Sequence, residues 1–299
     1  MRYRSFVWDN VRWSGFQHRA GDIVITTPPK CGTTWMQNIV AMLVLGTTAF
    51  DRPVARLSPW LDQVLRPIDE VLADLDGQEH RRFVKTHTPI DGLPWHDDVT
   101  YISVLRDPRD VAVSWDHHLG NVDLERLLEL RGAAHGFDDL AELPPRPEPI
   151  EDPAGRWWAY MRGRAPQPEF AVDLELVAQH ATIAWAHRFD PNVVLVHYAD
   201  LQQDLGGEVR RIAKRLGIEV DEARAAEIEE AASFASMRAR AGALVPNAGQ
   251  IWVDEQAFFR SGTSGQWRDV VGEDADERYQ ATVRELIDDE ELLSWLHRP

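Results

Sequence analysis

One stretch restricts the fold more than any other. Residues 21–46, GDIVITTPPKCGTTWMQNIVAMLVLG, run a turn glycine, a β-branched segment, a polar loop and an apolar helical segment in immediate succession. The short β-branched run reads as a buried strand, and the paired prolines Pro28 and Pro29 stop it in a loop. From Thr33 onward, Trp35, Ile39, Met42 and Leu43 recur at helical spacing until Gly46 ends the run. A strand, a tight loop and a helix N-terminus in that order form an anion-binding unit. Unpaired amides and the positive end of the helix dipole both point into the loop.

The same grammar recurs. RRFVKTH (81–87) and VTYISVLR (99–106) read as buried strands that end in polar clusters, and VAVSWDHH opens a helix after the second. NVVLVHYADL (192–201) is a fourth strand, and GGEVRRIAKRLGI (206–218) is the amphipathic helix behind it. Strands alternating with helices predict an α/β fold with a mainly parallel central sheet flanked by helices. Ligands of such sheets sit at the carboxyl ends of the strands, and all four predicted strands carry their polar cluster there. The segment at about 131–172 departs from the pattern: ELPPRPEPIEDP is proline-rich and acidic, which predicts a surface excursion or lid with GRWWAYM packed beneath it. No repeat or second domain is visible, so residues 1–299 are expected to form one domain.

Charge and composition remove several classes of function. With 32 Lys and Arg against 49 Asp and Glu, the formal net charge is −17. Such a surface repels nucleic acid and anionic polymers, so an anionic ligand needs a local basic pocket. The single cysteine, Cys31, rules out an intrachain disulfide. The first residues lack an apolar signal core, and IVAMLVLG at 39–46 is too short to span a bilayer, so a soluble cytoplasmic protein is expected.

Four clusters carry candidate chemistry, and each has an ordinary alternative. Lys30, Thr33, Thr34 and the amides of 30–34 suit an anionic group, or form a plain loop with a capping threonine. Arg106 and Ser114 in VLRDPRDVAVSW suit a phosphate, or belong to a turn whose charges pair with each other. Lys85 and His87 in FVKTHTP lie on one side of an extended chain and suit general-base chemistry with charge stabilisation, or are structural. Arg260, Ser261 and Gly262 in FFRSGTSGQWRD form a glycine-bearing loop able to wrap a phosphate, or a surface turn. In the first loop the lysine precedes the glycine, opposite to the Walker A order, and Gln37 stands where a cysteine phosphatase needs arginine.

The order and spacing of these clusters resemble the soluble sulfotransferases that use 3'-phosphoadenosine-5'-phosphosulfate (PAPS). TTPPKCGTTW is similar to their T-Y-P-K-S-G-T-T-W loop, and VLRDPRDVAVSW to their 3'-phosphate motif. FVKTHTP is similar to their K-T-H-x-P segment, and RSGTSGQW to their R-K-G-x-x-G-D-W loop. The resemblance implies that Lys30, Cys31, Gly32, Thr33 and Thr34 surround the 5'-phosphosulfate, and that Arg106, Ser114, Arg260, Ser261 and Gly262 surround the 3'-phosphate. It also implies that Trp35, Tyr198 and Phe234 enclose the adenine. His87 would take the acceptor's proton, Lys30 would steady the leaving phosphate, and Lys85 the transferring group. No metal is implied.

Departures from the family pattern carry their own expectations. Cys31 replaces a serine near a helix N-terminus, which predicts an unusually acidic, oxidation-sensitive thiol. Ser261 replaces a lysine, Gln266 an aspartate, and Ala232 a threonine that touches adenine. The dimer motif of vertebrate relatives is not apparent in RDVVGEDADERY, which leaves the oligomeric state open. Trp60, Trp95, Trp115, Trp157 and Trp158 are available to line an acceptor pocket or to fill the core. The acceptor is expected to offer a hydroxyl or an amine, on a small lipophilic molecule such as a phenol, an alcohol or a glycolipid head group. A magnesium-dependent small-molecule kinase and a non-catalytic nucleotide-binding protein are the competing readings.

Overall fold

A computed structural model describes residues 1–140, 149–163, 172–247 and 249–298. Four parallel strands form its sheet: β1 (Ile23–Thr26), β2 (Phe83–Thr86), β3 (Thr100–Leu105) and β4 (Val193–His197), in the order β2-β1-β3-β4. Val24 aligns with Val84 on one side and Tyr101 on the other, and Leu105 aligns with His197. The chain leaves β1 for β2 and later returns to the opposite side of β1. The switch in winding direction therefore lies between β1 and β3, where a ligand crevice is expected.

Strand alternation divides the core. Ile23, Ile25, Phe83, Ile102, Val104, Val194 and Val196 face the helices Thr33–Leu45 and Leu205–Arg215. Val24, Val84, Tyr101 and Leu105 face the other way, onto Trp157, Leu174, Trp267 and Tyr279. Both faces are covered, which accounts for strands that are buried along nearly their whole length. At the amino ends of the strands Arg82 forks onto Asp22, with Nε–Oδ1 2.9 Å and Nη2–Oδ2 2.5 Å, both side chains buried.

Local chemistry sets the boundaries. The helix Thr33–Leu45 begins after Gly32 and ends at Gly46, each with a left-handed backbone. Asp107 caps the helix Pro108–Gly120 by accepting from the Arg109 N–H, with proline in the first turn. The predicted strand through 201 is shorter in the structure. It ends at His197, whose Nδ1 accepts from the Ala199 N–H and starts a short helix, Tyr198–Gln203. The helix Leu124–Ala134 runs into the predicted excursion and Pro153–Arg162 is helical within it, with Trp157, Tyr160 and Met161 buried. Residues 141–148 and 164–171, on which the lid expectation mainly falls, lie outside the described residues. None of the described helices is long and apolar enough to cross a membrane.

Candidate active site

The loop after β1 is held by backbone conformations that few residues tolerate. Gly32 has φ of 102°, and a Cβ there would stand 3.0 Å from Cδ2 of Tyr198, so only glycine fits this close approach. Lys30 also takes a left-handed φ of 68°. The Thr27 and Thr33 hydroxyls meet at 2.5 Å and close the turn. Lys30, Gly32, Thr33, Thr34 and Trp35 all face a cavity of about 480 Å³.

Cys31 does not line this cavity; its side chain is fully buried. The expected acidic thiol is reversed. Burial raises its pKa to about 12, outweighing the opposite pull of Arg106 and Lys30. It sits ahead of the first helical residue, Thr33, and is packed in the hydrophobic core rather than presented to solvent.

Arg106, at the end of β3, ties two loops together. Its guanidinium donates to the carbonyl of Thr263 at 3.0 Å and reaches the carbonyl of Lys30 at 3.4 Å. Its charge lies 4.3 Å from the Tyr198 ring centroid. Asp110, one turn on, accepts the Gly265 N–H at 2.7 Å and so anchors the carboxyl-terminal loop. Ser114, Tyr198, Phe234, Arg260, Ser261 and Gly262 line the same cavity. Trp35 and Tyr198 stand edge to face at 5.5 Å. Gly262 has φ of 63°, and a Cβ there would collide with the Phe234 ring. Two departures from the family pattern compensate each other: Gln266 Nε2 donates to Ser261 Oγ at 2.6 Å and to Thr263 O at 2.6 Å. Ala232 is buried in the core and does not line the cavity, so no contact replaces that of a threonine.

This half of the cavity demands an anion. Arg106 and Arg260 crowd Lys30, and burial together with Arg106 brings the Lys30 ammonium down to about 7. The Arg106 Nε–H and the Trp35 Nε1–H are buried without a partner among the described residues. A ligand with phosphate and an aromatic base fits both the crowded positive charge and the Trp35–Tyr198–Phe234 slot.

The end of β2 supplies the candidate catalytic groups Lys85 and His87. Asp62 accepts Thr86 Oγ1 at 2.5 Å, Thr88 Oγ1 at 2.7 Å and Trp13 Nε1 at 3.2 Å. With the two threonines turned toward Asp62, Lys85 and His87 are turned to the cavity. Lys85 Nζ lies 4.0 Å over the Trp60 ring, and burial, partly offset by Asp62, lowers its pKa to about 7. His87 Nδ1 is 2.8 Å from the carbonyl of Thr27. A carbonyl only accepts, so Nδ1 carries the proton and Nε2 keeps its lone pair. Burial, then the Lys85 charge, hold the imidazole pKa well below its ordinary value. His180 Nε2 stands 3.0 Å from the His87 carbonyl and must donate to it.

The rest of the cavity is mostly apolar, and sequence reading missed much of it. Trp60 and Trp115 line it, whereas Trp157 is buried core, Trp158 packs against that core, and Trp95 stacks on Tyr101 elsewhere. Added to these are Ser5, Phe6, Val7, Trp8, Ile251 and Trp252. The amino-terminal segment is pinned in place. Arg131 donates to Phe6 O at 2.9 Å, the Val64 N–H to Val7 O at 2.9 Å, and the Asp9 N–H to Asp62 O at 2.8 Å. His118 was also missed. Its Nδ1 is 3.2 Å from Lys30 Nζ, and its ring packs between Trp115 and Trp252 at 5.3 and 4.9 Å. The signal for it was its position four residues after Ser114 on one helix.

Comparison with known proteins identifies the family. A profile described as "Sulfotransferase domain" matches residues 20–291. A glycolipid sulfotransferase of Mycobacterium bovis is 39% identical over 313 aligned residues, covering 99% of this chain and 93% of the relative. One from Mycobacterium tuberculosis is 40% identical over 312, with the same coverage. Among solved structures, a mouse sulfotransferase complexed with PAP superposes with a TM-score of 0.67 at 20% identity, covering 96% of this chain and 94% of that one. Retinol dehydratase in complex with retinol and PAP gives a TM-score of 0.68 at 22% identity, covering 94% and 87%. These two share the fold, a parallel sheet flanked by helices. With the profile and both mycobacterial relatives spanning nearly the whole chain, the protein belongs to the sulfotransferase domain family and is a sulfotransferase.

Proposed function

We propose that the protein forms one sulfotransferase unit that moves the sulfuryl group of PAPS onto a hydroxyl of a lipophilic acceptor, with His87 as general base. The observation that carries this reading is the tautomer of His87. Its Nδ1–H is committed to Thr27 O, which leaves Nε2 as the only basic atom on the ring, beside two lysines in an apolar cavity.

In this reading the acceptor hydroxyl gives its proton to His87 Nε2 as its oxygen bonds to sulfur. The bond between sulfur and the nucleotide's bridging oxygen breaks in line with it. Lys30 stands against the leaving phosphate and Lys85 against the transferring group. Loose group transfer of this kind depends mostly on positioning and charge stabilisation. Thr33, Thr34, Arg106, Ser114 and Arg260 would hold the phosphates, and Trp35, Tyr198 and Phe234 the adenine. Lys30, Lys85 and Arg106 supply the positive charge that a kinase takes from magnesium, so no metal is required. The apolar wall built from Phe6, Trp8, Trp115 and Trp252 favours a lipophilic alcohol, phenol or glycolipid head group, and the mycobacterial relatives are named for glycolipid acceptors. We place the protein in the cytoplasm, without nucleic-acid partners, given its charge of −17.

The deciding assay offers the purified protein labelled PAPS or labelled ATP with a panel of lipophilic alcohols, with and without EDTA. Sulfate transfer insensitive to EDTA is the expected outcome. Magnesium-dependent phosphate transfer, or nucleotide binding without turnover of any acceptor, would replace this reading with a kinase or a silent binding protein.

A further inference from the structure

Two imidazoles that line the cavity are held in opposite tautomers. His87 commits its Nδ1–H to the carbonyl of Thr27. His118 Nδ1 faces the Lys30 ammonium at 3.2 Å. An ammonium has donors and no lone pair, so Nδ1 of His118 accepts and the ring proton is on Nε2. Burial, then the charges of Lys30 and Lys85, hold this imidazole well below its ordinary pKa, which keeps Nδ1 free to accept.

The ring has a built setting. Trp115, Trp252 and Phe258 surround it, with centroids at 5.3, 4.9 and 5.9 Å. The Asp123 N–H donates to Ile251 O at 2.8 Å, the Val253 N–H to Asn121 O at 3.0 Å, and Trp252 Nε1 to Pro246 O at 2.6 Å. The segment carrying Trp252 is thus fastened to the chain just beyond the His118 helix, Pro108–Gly120. An apolar ring would fill this cage as well as an imidazole, so packing alone gives no reason for a nitrogen.

Lys30 gives one. Its ammonium is a point charge on a flexible stem, with no preferred direction of its own. Arg106 and Arg260 crowd it with like charge, and among the described residues no carboxylate pairs with it. It is held instead by Nδ1 of His118 and by the face of the Phe258 ring, whose centroid is 4.5 Å away.

We propose that His118 is the positioning residue for Lys30, its Nδ1 fixing where the ammonium stands when the leaving phosphate must be steadied. The inference rests on the sulfotransferase reading, in which Lys30 faces that phosphate. An ammonium has several donors, so one stays on His118 while the others meet phosphate oxygens. His118 itself touches no reacting atom in this scheme.

A double-mutant cycle tests it. His118→Phe keeps a ring for the aromatic cage and removes the acceptor, whereas His118→Asn puts an amide oxygen close to the place of Nδ1. Lys30→Met removes the ammonium and keeps the stem. The readouts are equilibrium affinity for 3'-phosphoadenosine 5'-phosphate (PAP), the nucleotide left after transfer, and single-turnover transfer of labelled sulfate from PAPS to a lipophilic alcohol. His118→Phe should weaken PAP binding and slow transfer, each by about tenfold or more, the equilibrium worth of a hydrogen bond to a charged group. His118→Asn should recover most of that loss. In the Lys30→Met protein the same phenylalanine substitution should cost less than about twofold. Nitrogen NMR of folded wild-type protein at neutral pH reads the tautomer without any variant, and should find Nδ1 of His118 unprotonated and Nε2 protonated. A protonated Nδ1 overturns the proposal. So does a His118→Phe loss of PAP affinity that is absent in the wild-type background, or equally large with and without Lys30. Coupled PAP binding without any sulfate transfer by wild type would support the His118–Lys30 link and count against the transferase reading alone.

Discussion

His87→Asn isolates the chemistry of the site from its architecture. The asparagine side-chain amide replaces the donor that now reaches Thr27 O at 2.8 Å, but offers no basic nitrogen. His87→Ala removes both, along with the ring contacts to Trp60 at 4.7 Å and Trp8 at 5.6 Å. A positioned base contributes about 10²–10⁴ in rate, which at 1.36 kcal/mol per decade is about 2.7–5.4 kcal/mol of barrier. Both variants should therefore lose that factor in a single-turnover measurement of labelled sulfate transfer, where product release does not mask the chemical step. Donor affinity should change little, because the proposed phosphate and adenine contacts come from other elements. The asparagine variant should keep the wild-type Tm, and the alanine variant should lose some of it. Because burial and the Lys85 charge hold the imidazole pKa well below its ordinary value, wild-type protein should show no acid limb near 6.5. Transfer by His87→Asn within about tenfold of wild type would refute a base at this position.

Two further outcomes follow from the buried groups around the site. Lys30 and Lys85, each with a pKa lowered to about 7, lose their protons as pH rises through that value, so PAPS affinity should fall above it. At pH 8 binding should draw protons from solution, because the bound anion raises both pKa values again; calorimetry in buffers of different ionisation enthalpy measures this uptake. Asp62→Ala leaves the Thr86 and Thr88 hydroxyls and the Trp13 indole N–H unpaired in the interior. At about 1–3 kcal/mol for an unsatisfied group, and with some relaxation, a stability loss of about 2–5 kcal/mol in chemical denaturation is expected, with slower transfer, since these bonds fix the side of the chain on which His87 emerges.

The parts of this molecule legible in its sequence are those dictated by short-range rules. The β-branched run at 23–26, the helical spacing from Thr33 and the glycine at 46 each act within a few residues, and the structure follows them. The cationic cluster was legible because parallel strands bring their carboxyl ends together, so Lys30, Lys85 and Arg106 had to converge. Elements built on distant contacts gave no local signal. Asp62 sits in a segment without periodicity and has meaning only through Thr86 and Thr88, more than 20 residues away. The acidity of Cys31 was misread because proximity to a helix start is visible in sequence, whereas complete burial is not. Much of the cavity wall was hidden for the same reason, since Phe6, Trp8, Ile251 and Trp252 come from segments far apart in the chain.

The first eight residues have a practical bearing. Ser5 to Trp8 form part of the cavity wall, and the backbone of Phe6 and Val7 is stitched to Arg131 and Val64. A start trimmed past Ser5 therefore edits the chamber proposed to take the acceptor, while the loops proposed to hold the nucleotide keep their own anchors at Arg106 and Asp110. Preparations that differ only in how the polypeptide begins would bind donor alike and still rank acceptors differently, so substrate profiles are comparable only between preparations that share the same start.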